Sequence, residues 1–195
     1  MESRERRLKK MLRHLPNSLT VLRLLLAAPL GLMILRGDYA SALTIGCLAG
    51  MSDALDGFLA RRLDAQSRLG AALDPVADKI LITVTFVCFA QMGLAPWYLA
   101  IIVFSRDIII VIGAISYQKV IGPFEFSATR LSKGNMFVQI SFCVLVLLAQ
   151  VIEGVPPILL FSCMVAVLFF AVASGLDYAL SWTIKALQVR KARRP

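Results

Sequence analysis

Four aspartates carry the chemistry that this chain can do. Asp53 and Asp56 stand three residues apart, and Asp74 and Asp78 four apart. On helices, either spacing puts both carboxylates of a pair on one face. The stretch between the pairs is short, which makes the two helices antiparallel neighbours whose acidic faces converge. Four carboxylates in one place cannot all stay ionised without compensation, because like charges and partial burial both raise a carboxyl pKa. Either several are protonated or cations lie between them. No His or Cys stands nearby in sequence, and oxygen-only ligands favour Mg²⁺, Mn²⁺ or Ca²⁺ over zinc. Two such ions about 3.5–4 Å apart clamp the attacking and leaving oxygens in phosphoryl transfer. The plainer account makes these acids helix caps paired with Arg61, Arg62 and Lys79. It suits one Asp better than two same-face pairs, since acids within membrane segments usually serve function.

The neighbouring residues fit a ligand. Gly57 and Ala60 remove bulk from the surface that carries Asp53 and Asp56, and Gly70 allows a tight loop exit. Arg61 offers a fork for phosphate oxygens. Pro75 follows Asp74, which predicts that Asp74 opens a helix, where backbone N–H groups favour anions.

The elements that position these residues follow from composition. Of 195 residues, 58% are hydrophobic and 17% charged, with a mean hydropathy of +0.77. A soluble chain has about a quarter charged residues, so this composition excludes a large extramembrane domain and a disordered scaffold. Apolar segments fall at about 19–35, 39–60, 74–94, 97–118, 135–151 and 157–184, each near the roughly 20 residues of a membrane span. Gly93 to Pro96 and Gly154 to Pro157 read as tight turns. The expected fold is all-α: a polytopic membrane protein with six transmembrane helices in one bundle. Lys and Arg gather in the N-terminal tail, after the second and fourth segments, and at the C-terminal end, which predicts cytoplasmic termini. Residues 1–16 read as a basic segment holding a short amphipathic interfacial helix, 17–184 as the membrane domain, and 185–195 as a basic tail. The net charge of +9 then points to anionic lipid rather than nucleic acid. The four cysteines have no metal-type spacing and read as packing residues.

The stretch Asp53-Ala-Leu-Asp56-Gly57-Phe-Leu-Ala60-Arg61, eight residues, Gly70, three, Asp74, three, Asp78 resembles the signature of the CDP-alcohol phosphotransferases at every position. The resemblance implies a CDP-linked donor such as CDP-diacylglycerol, an alcohol acceptor, and release of CMP. It implies two divalent cations, Mg²⁺ or Mn²⁺, at Asp53, Asp56, Asp74 and Asp78. Asp78 would take the proton of the acceptor hydroxyl. Asp56, Gly57, Ala60, Arg61, Gly70 and Asp74 would bind the cytidine diphosphate, and the enzyme would be a homodimer.

Outside the signature, Pro16-Asn17-Ser18-Leu19-Thr20, Arg23 and Leu73 to Lys79 resemble the branch that makes phosphatidylglycerophosphate and cardiolipin. Ser105-Arg106-Asp107 and Ser132-Lys133-Gly134-Asn135 resemble its cardiolipin synthase side, with phosphatidylglycerol as acceptor; glycerol 3-phosphate is the other acceptor. Arg106 either holds the acceptor's phosphate or pairs with an acid on another helix, because adjacent residues face apart and Asp107 is poorly placed for it. Lys133 would meet an anionic acceptor or snorkel to the interface. Thr20 and Arg23 point into the same pocket or cap the first segment. A cation carrier with an Asp-lined ion site competes with this reading, but a carrier places its acids near midplane among broken helices. A non-enzymatic membrane subunit has no use for the Gly57, Ala60 and Gly70 clearance. With no transit-like N-terminus, the expected location is a bacterial inner membrane, with the site facing the cytoplasm.

Overall fold

The computed structural model describes residues 15–63, 68–121 and 130–192, and within these the side chains of 21–52, 77–113 and 131–178. The described chain is helical: α1 (Leu15–Leu35), α2 (Tyr39–Leu63), α3 (Arg68–Gln91), α4 (Trp97–Ile121), α5 (Arg130–Val151) and α6 (Pro157–Ala192). All six expected segments are helices. The interfacial helix expected before residue 16 lies outside the described residues. α3 starts at Arg68 rather than Asp74, so Asp74 sits inside the helix and the anion-favouring helix start argued for it does not apply.

The expectation of six transmembrane helices is not met. Among the described residues, two helices are long and apolar enough to cross a membrane, Leu131–Val151 and Pro157–Tyr178. The apolar runs of α1 and α2, Val21–Leu35 and Tyr39–Ser52, are shorter. Both runs are bounded by the described side chains, which begin at Val21 and pause after Ser52. Charge also enters the segments: Arg23 lies within α1, Asp53, Asp56, Arg61 and Arg62 toward the end of α2, Asp74, Asp78 and Lys79 early in α3, and Arg106 and Asp107 in α4. The two qualifying windows are only 33% and 17% buried. That leaves apolar side chains such as Phe137, Ile158, Phe161 and Phe169 exposed, as suits a membrane-associated chain rather than a soluble core.

The chain divides into two compact units. Met1–Leu94 with Leu147–Glu153 makes the first, and Ala95–Val146 with Gly154–Pro195 the second. In the first, α1 packs on α2 and α3. Its buried stripe is Arg23, Ala27, Leu30 and Ile34, the spacing of one helix face. α2 answers with Ala42 and Ala49, both fully buried, and Gly46, whose missing side chain would meet Leu30. α3 contributes Ala77, Ile82, Phe86 and Phe89. A Cβ on Gly31 would stand 2.9 Å from Val84 Cγ1 and 3.4 Å from Cys88 Sγ, so α1 and α3 touch closely there.

α1 and α3 end in the same way. The Asp38 N–H donates to the Met33 carbonyl and the Gly37 N–H to the Ile34 carbonyl, both at 3.0 Å. After α3, the Leu94 N–H donates to the Phe89 carbonyl at 2.8 Å and the Gly93 N–H to Ala90 at 3.3 Å. This is the Schellman closure, which needs a left-handed residue, and Gly37 and Gly93 have φ of 76° and 72°. In the second unit, α4 packs on α6, and Leu99 and Val103 on α4 and Val167 and Ala171 on α6 are buried.

Candidate active site

The backbone carries the four signature acids on two consecutive helices of the first unit: Asp53 and Asp56 on α2, Asp74 and Asp78 on α3. Gly57, Ala60 and Arg61 lie on α2, and Gly70 lies on α3. Of these eight residues, only the side chain of Asp78 is among those described. The convergence expected of Asp53, Asp56 and Asp74, and the side chain of Thr20, lie outside them. Among the described residues, no three His, Cys, Asp or Glu side chains form a metal-holding group.

Asp78 has a partner that the sequence did not suggest. Arg23 Nη1 donates to Asp78 Oδ1 from 55 residues away, joining α1 to α3. The arginine side chain is 1% exposed and the aspartate 21%. A buried charge is tolerated when paired, so this contact permits an arginine at the head of an apolar stripe. Arg23 therefore faces the fourth acid from the α1 side. Its place in the sequence carried a signal, since it precedes Ala27, Leu30 and Ile34 at core spacing.

The second unit holds a second polar centre. Arg106 on α4 donates from Nε to Ser174 Oγ on α6 and from Nη2 to Ser132 Oγ on α5, both at 3.0 Å. Nη1 donates to Asp107 Oδ1 at 2.5 Å. Asp107 is thus a partner, although its adjacent position made it a poorly placed one in sequence. The adjacent Cβ atoms do diverge, but the long guanidinium stem curls back across the gap. Gly175 leaves room for that stem, since a Cβ there would lie 3.7 Å from Arg106 Cγ. Ser174 in turn donates to the Ala171 carbonyl at 3.2 Å. With three side-chain acceptors, Arg106 ties α4, α5 and α6 together. Lys133, beside Ser132, is exposed. One turn further along α5, Asn135 and Gln139 are buried, and Asn135 Oδ1 and Gln139 Nε2 lack hydrogen-bond partners.

Comparison with known proteins agrees with the signature. A family model described as CDP-alcohol phosphatidyltransferase matches residues 13–176. Human cardiolipin synthase (CMP-forming) is 42% identical over 106 residues, covering 54% of this chain and 35% of that protein. A Schizosaccharomyces pombe cardiolipin synthase (CMP-forming) / mitochondrial hydrolase fusion protein is 35% identical over 201 residues, covering 91% of this chain and 32% of the fusion. The CDP-diacylglycerol–glycerol-3-phosphate 3-phosphatidyltransferase of Aquifex aeolicus is 36% identical over 107 residues, covering 52% of this chain and 58% of that one. The chain thus spans about a third of the length of the two cardiolipin synthases.

Proposed function

The chain belongs to the CDP-alcohol phosphatidyltransferase family, and from that premise we propose that it transfers the phosphatidyl group of CDP-diacylglycerol to an alcohol, releasing CMP. Phosphatidylglycerol is the proposed acceptor and cardiolipin the product. The similarity to two cardiolipin synthases supports this choice. Glycerol 3-phosphate is the second reading, supported by the similarity to the Aquifex transferase. The observation that carries the proposal is the intact eight-residue signature lying on consecutive helices of one compact unit.

In the proposed reaction the acceptor hydroxyl oxygen attacks the phosphorus attached to diacylglycerol. The bond from that phosphorus to the CMP oxygen breaks, and the hydroxyl proton passes to Asp78. Asp78 is partly open to solvent, as a group exchanging protons with a substrate must be. The family uses divalent cations, and an all-oxygen donor set of Asp53, Asp56, Asp74 and Asp78 fits Mg²⁺ or Mn²⁺. Bound there, the pair would neutralise the diphosphate and polarise its phosphoryl oxygens. Gly57, Ala60 and Gly70 leave space for the nucleotide and Arg61 meets its phosphates. Lys133 is exposed at the basic end of α5, as capture of an anionic acceptor requires; Thr20 and Arg106 are the other proposed acceptor contacts. Lysines and arginines flanking the signature support a site facing the cytoplasm. The enzyme would work as a homodimer.

The test incubates the purified chain with CDP-diacylglycerol, Mg²⁺ or Mn²⁺, and either acceptor. Cardiolipin and CMP support the first reading, and phosphatidylglycerophosphate transfers the assignment to the second. No CMP with either acceptor overturns both. Asp78→Asn should slow turnover by roughly 10²–10⁴-fold, the usual contribution of a positioned base; full turnover would remove Asp78 from that role.

A further inference from the structure

We propose that Arg23 is a positioning residue for Asp78, holding the proposed base from behind through the α1–α3 contact. The inference rests on the transferase reading, and it assigns a role to a residue outside the signature.

Three observations lead to it. First, the position is one where an arginine has no ordinary reason to be. Arg23, Ala27, Leu30 and Ile34 are buried on one face of α1, and Arg23 is among the largest side chains fully buried in the described chain. Replacing a buried ion pair by apolar residues is often neutral or stabilising, so stability alone does not account for a guanidinium there. Second, it meets one of the signature acids, Asp78. Asp78 lies four residues after Asp74, on the same helical face as that proposed metal ligand. Its carboxylate meets the buried cation through Oδ1 yet the side chain stays 21% exposed, so it is anchored to α1 and still partly open to solvent.

Third, the place where α1 delivers the guanidinium is fixed. Arg23 meets Asp78, and eight residues on, Gly31 abuts Val84 and Cys88, which lie six and ten residues past Asp78. The helices therefore run parallel in one register, pinned at two points. Val84 is β-branched and stiff, so the close approach at Gly31 leaves α1 no room to slide. A carboxylate held by a partner that is itself immobilised keeps one orientation, which is what outer-shell partners do for reactive groups.

The test uses the purified full chain with CDP-diacylglycerol and phosphatidylglycerol, and the variants Arg23→Met, Arg23→Lys, Asp78→Asn and Arg23→Met/Asp78→Asn. Arg23→Met should lower kcat by roughly 10–100-fold, the usual effect of losing such a partner, with both KM values unchanged. Arg23→Lys should recover part of that loss. The double variant should be no slower than Asp78→Asn alone, because residues acting as one unit are not additive. If the two losses multiply, if Arg23→Met turns over at the unaltered rate, or if only the acceptor KM rises, the positioning role is overturned. Should Arg23→Met fail to fold, Arg23→Lys carries the test: a reduced kcat at unchanged KM supports the role and an unaltered kcat overturns it. An unaltered chain that releases no CMP overturns the transferase reading and the role with it. CMP release with multiplying losses overturns the role alone.

Discussion

Arg106 offers the sharpest measurement of what holds the second unit together. Its guanidinium donates to Ser174, Ser132 and Asp107, and the Arg106 and Asp107 side chains are 9% and 13% exposed. Arg106→Met removes one partner of a buried ion pair, which costs about 3–5 kcal/mol. Arg106→Lys keeps the charge but cannot fork to two serines on different helices, and should fall between the unaltered chain and Arg106→Met. Urea unfolding in mixed micelles, followed by circular dichroism, reads these differences as shifts of midpoint at constant slope. An Arg106→Met midpoint equal to that of the unaltered chain would refute the strut. A residue that only captured the acceptor would leave the midpoint in place and raise the acceptor KM.

Gly134→Ala puts a Cβ 2.9 Å from Phe170 Cε1 and 3.3 Å from Cδ1, against a ring already edge-on to Phe169. The overpacking should cost about 1–3 kcal/mol, and adding Phe170→Leu should restore the thermal midpoint. Asp38 caps α2 by accepting from the Ser41 N–H at 3.1 Å; the Ser41 hydroxyl, then its N–H, holds the Asp38 carboxyl below its ordinary 3.8. A depressed folded value stabilises above 3.8 and loses its effect as pH falls through that folded value. Asp38→Ala should therefore melt lower than the unaltered chain at neutral pH, with the gap closing in acid. Chelation by EDTA should stop CMP release, and added Mg²⁺ or Mn²⁺ should restore it.

The ends of the helices show what sequence discloses and what it hides. The ends at Leu35 and Val151 and the starts at Tyr39, Trp97 and Pro157 follow from glycine and proline signals, because these residues dictate backbone geometry locally. The starts at Leu15, Arg68 and Arg130 lie before the apolar runs. Hydropathy counts what lipid tolerates, whereas a helix continues through charged residues as long as its backbone bonds close. Asp53, Asp56, Asp74 and Asp78, which make the signature conspicuous in sequence, also lie inside segments counted as spans, and two helices among the described residues are long and apolar enough to cross a membrane. Asp78 stood out as a member of a spaced set. Its pairing with Arg23 did not, since contact across 55 residues follows from packing. The Arg106–Asp107 pair escaped for another reason: the rule that neighbours face apart describes Cβ directions, and a long side chain outreaches it.

The length of α6 has a consequence of its own. Its thirty-six residues make a rod of about 54 Å at 1.5 Å per residue, against a hydrocarbon layer of about 30 Å. Its sequence stays largely apolar to Ile184 and turns basic from Lys185 onward. Thicker and thinner bilayers meet this rod at different heights without asking it to bend or stretch. The waterline is therefore drawn along α6 by its change of composition toward Lys185, Arg190 and Lys191, and the helix crosses it unbroken as a mast into the aqueous phase.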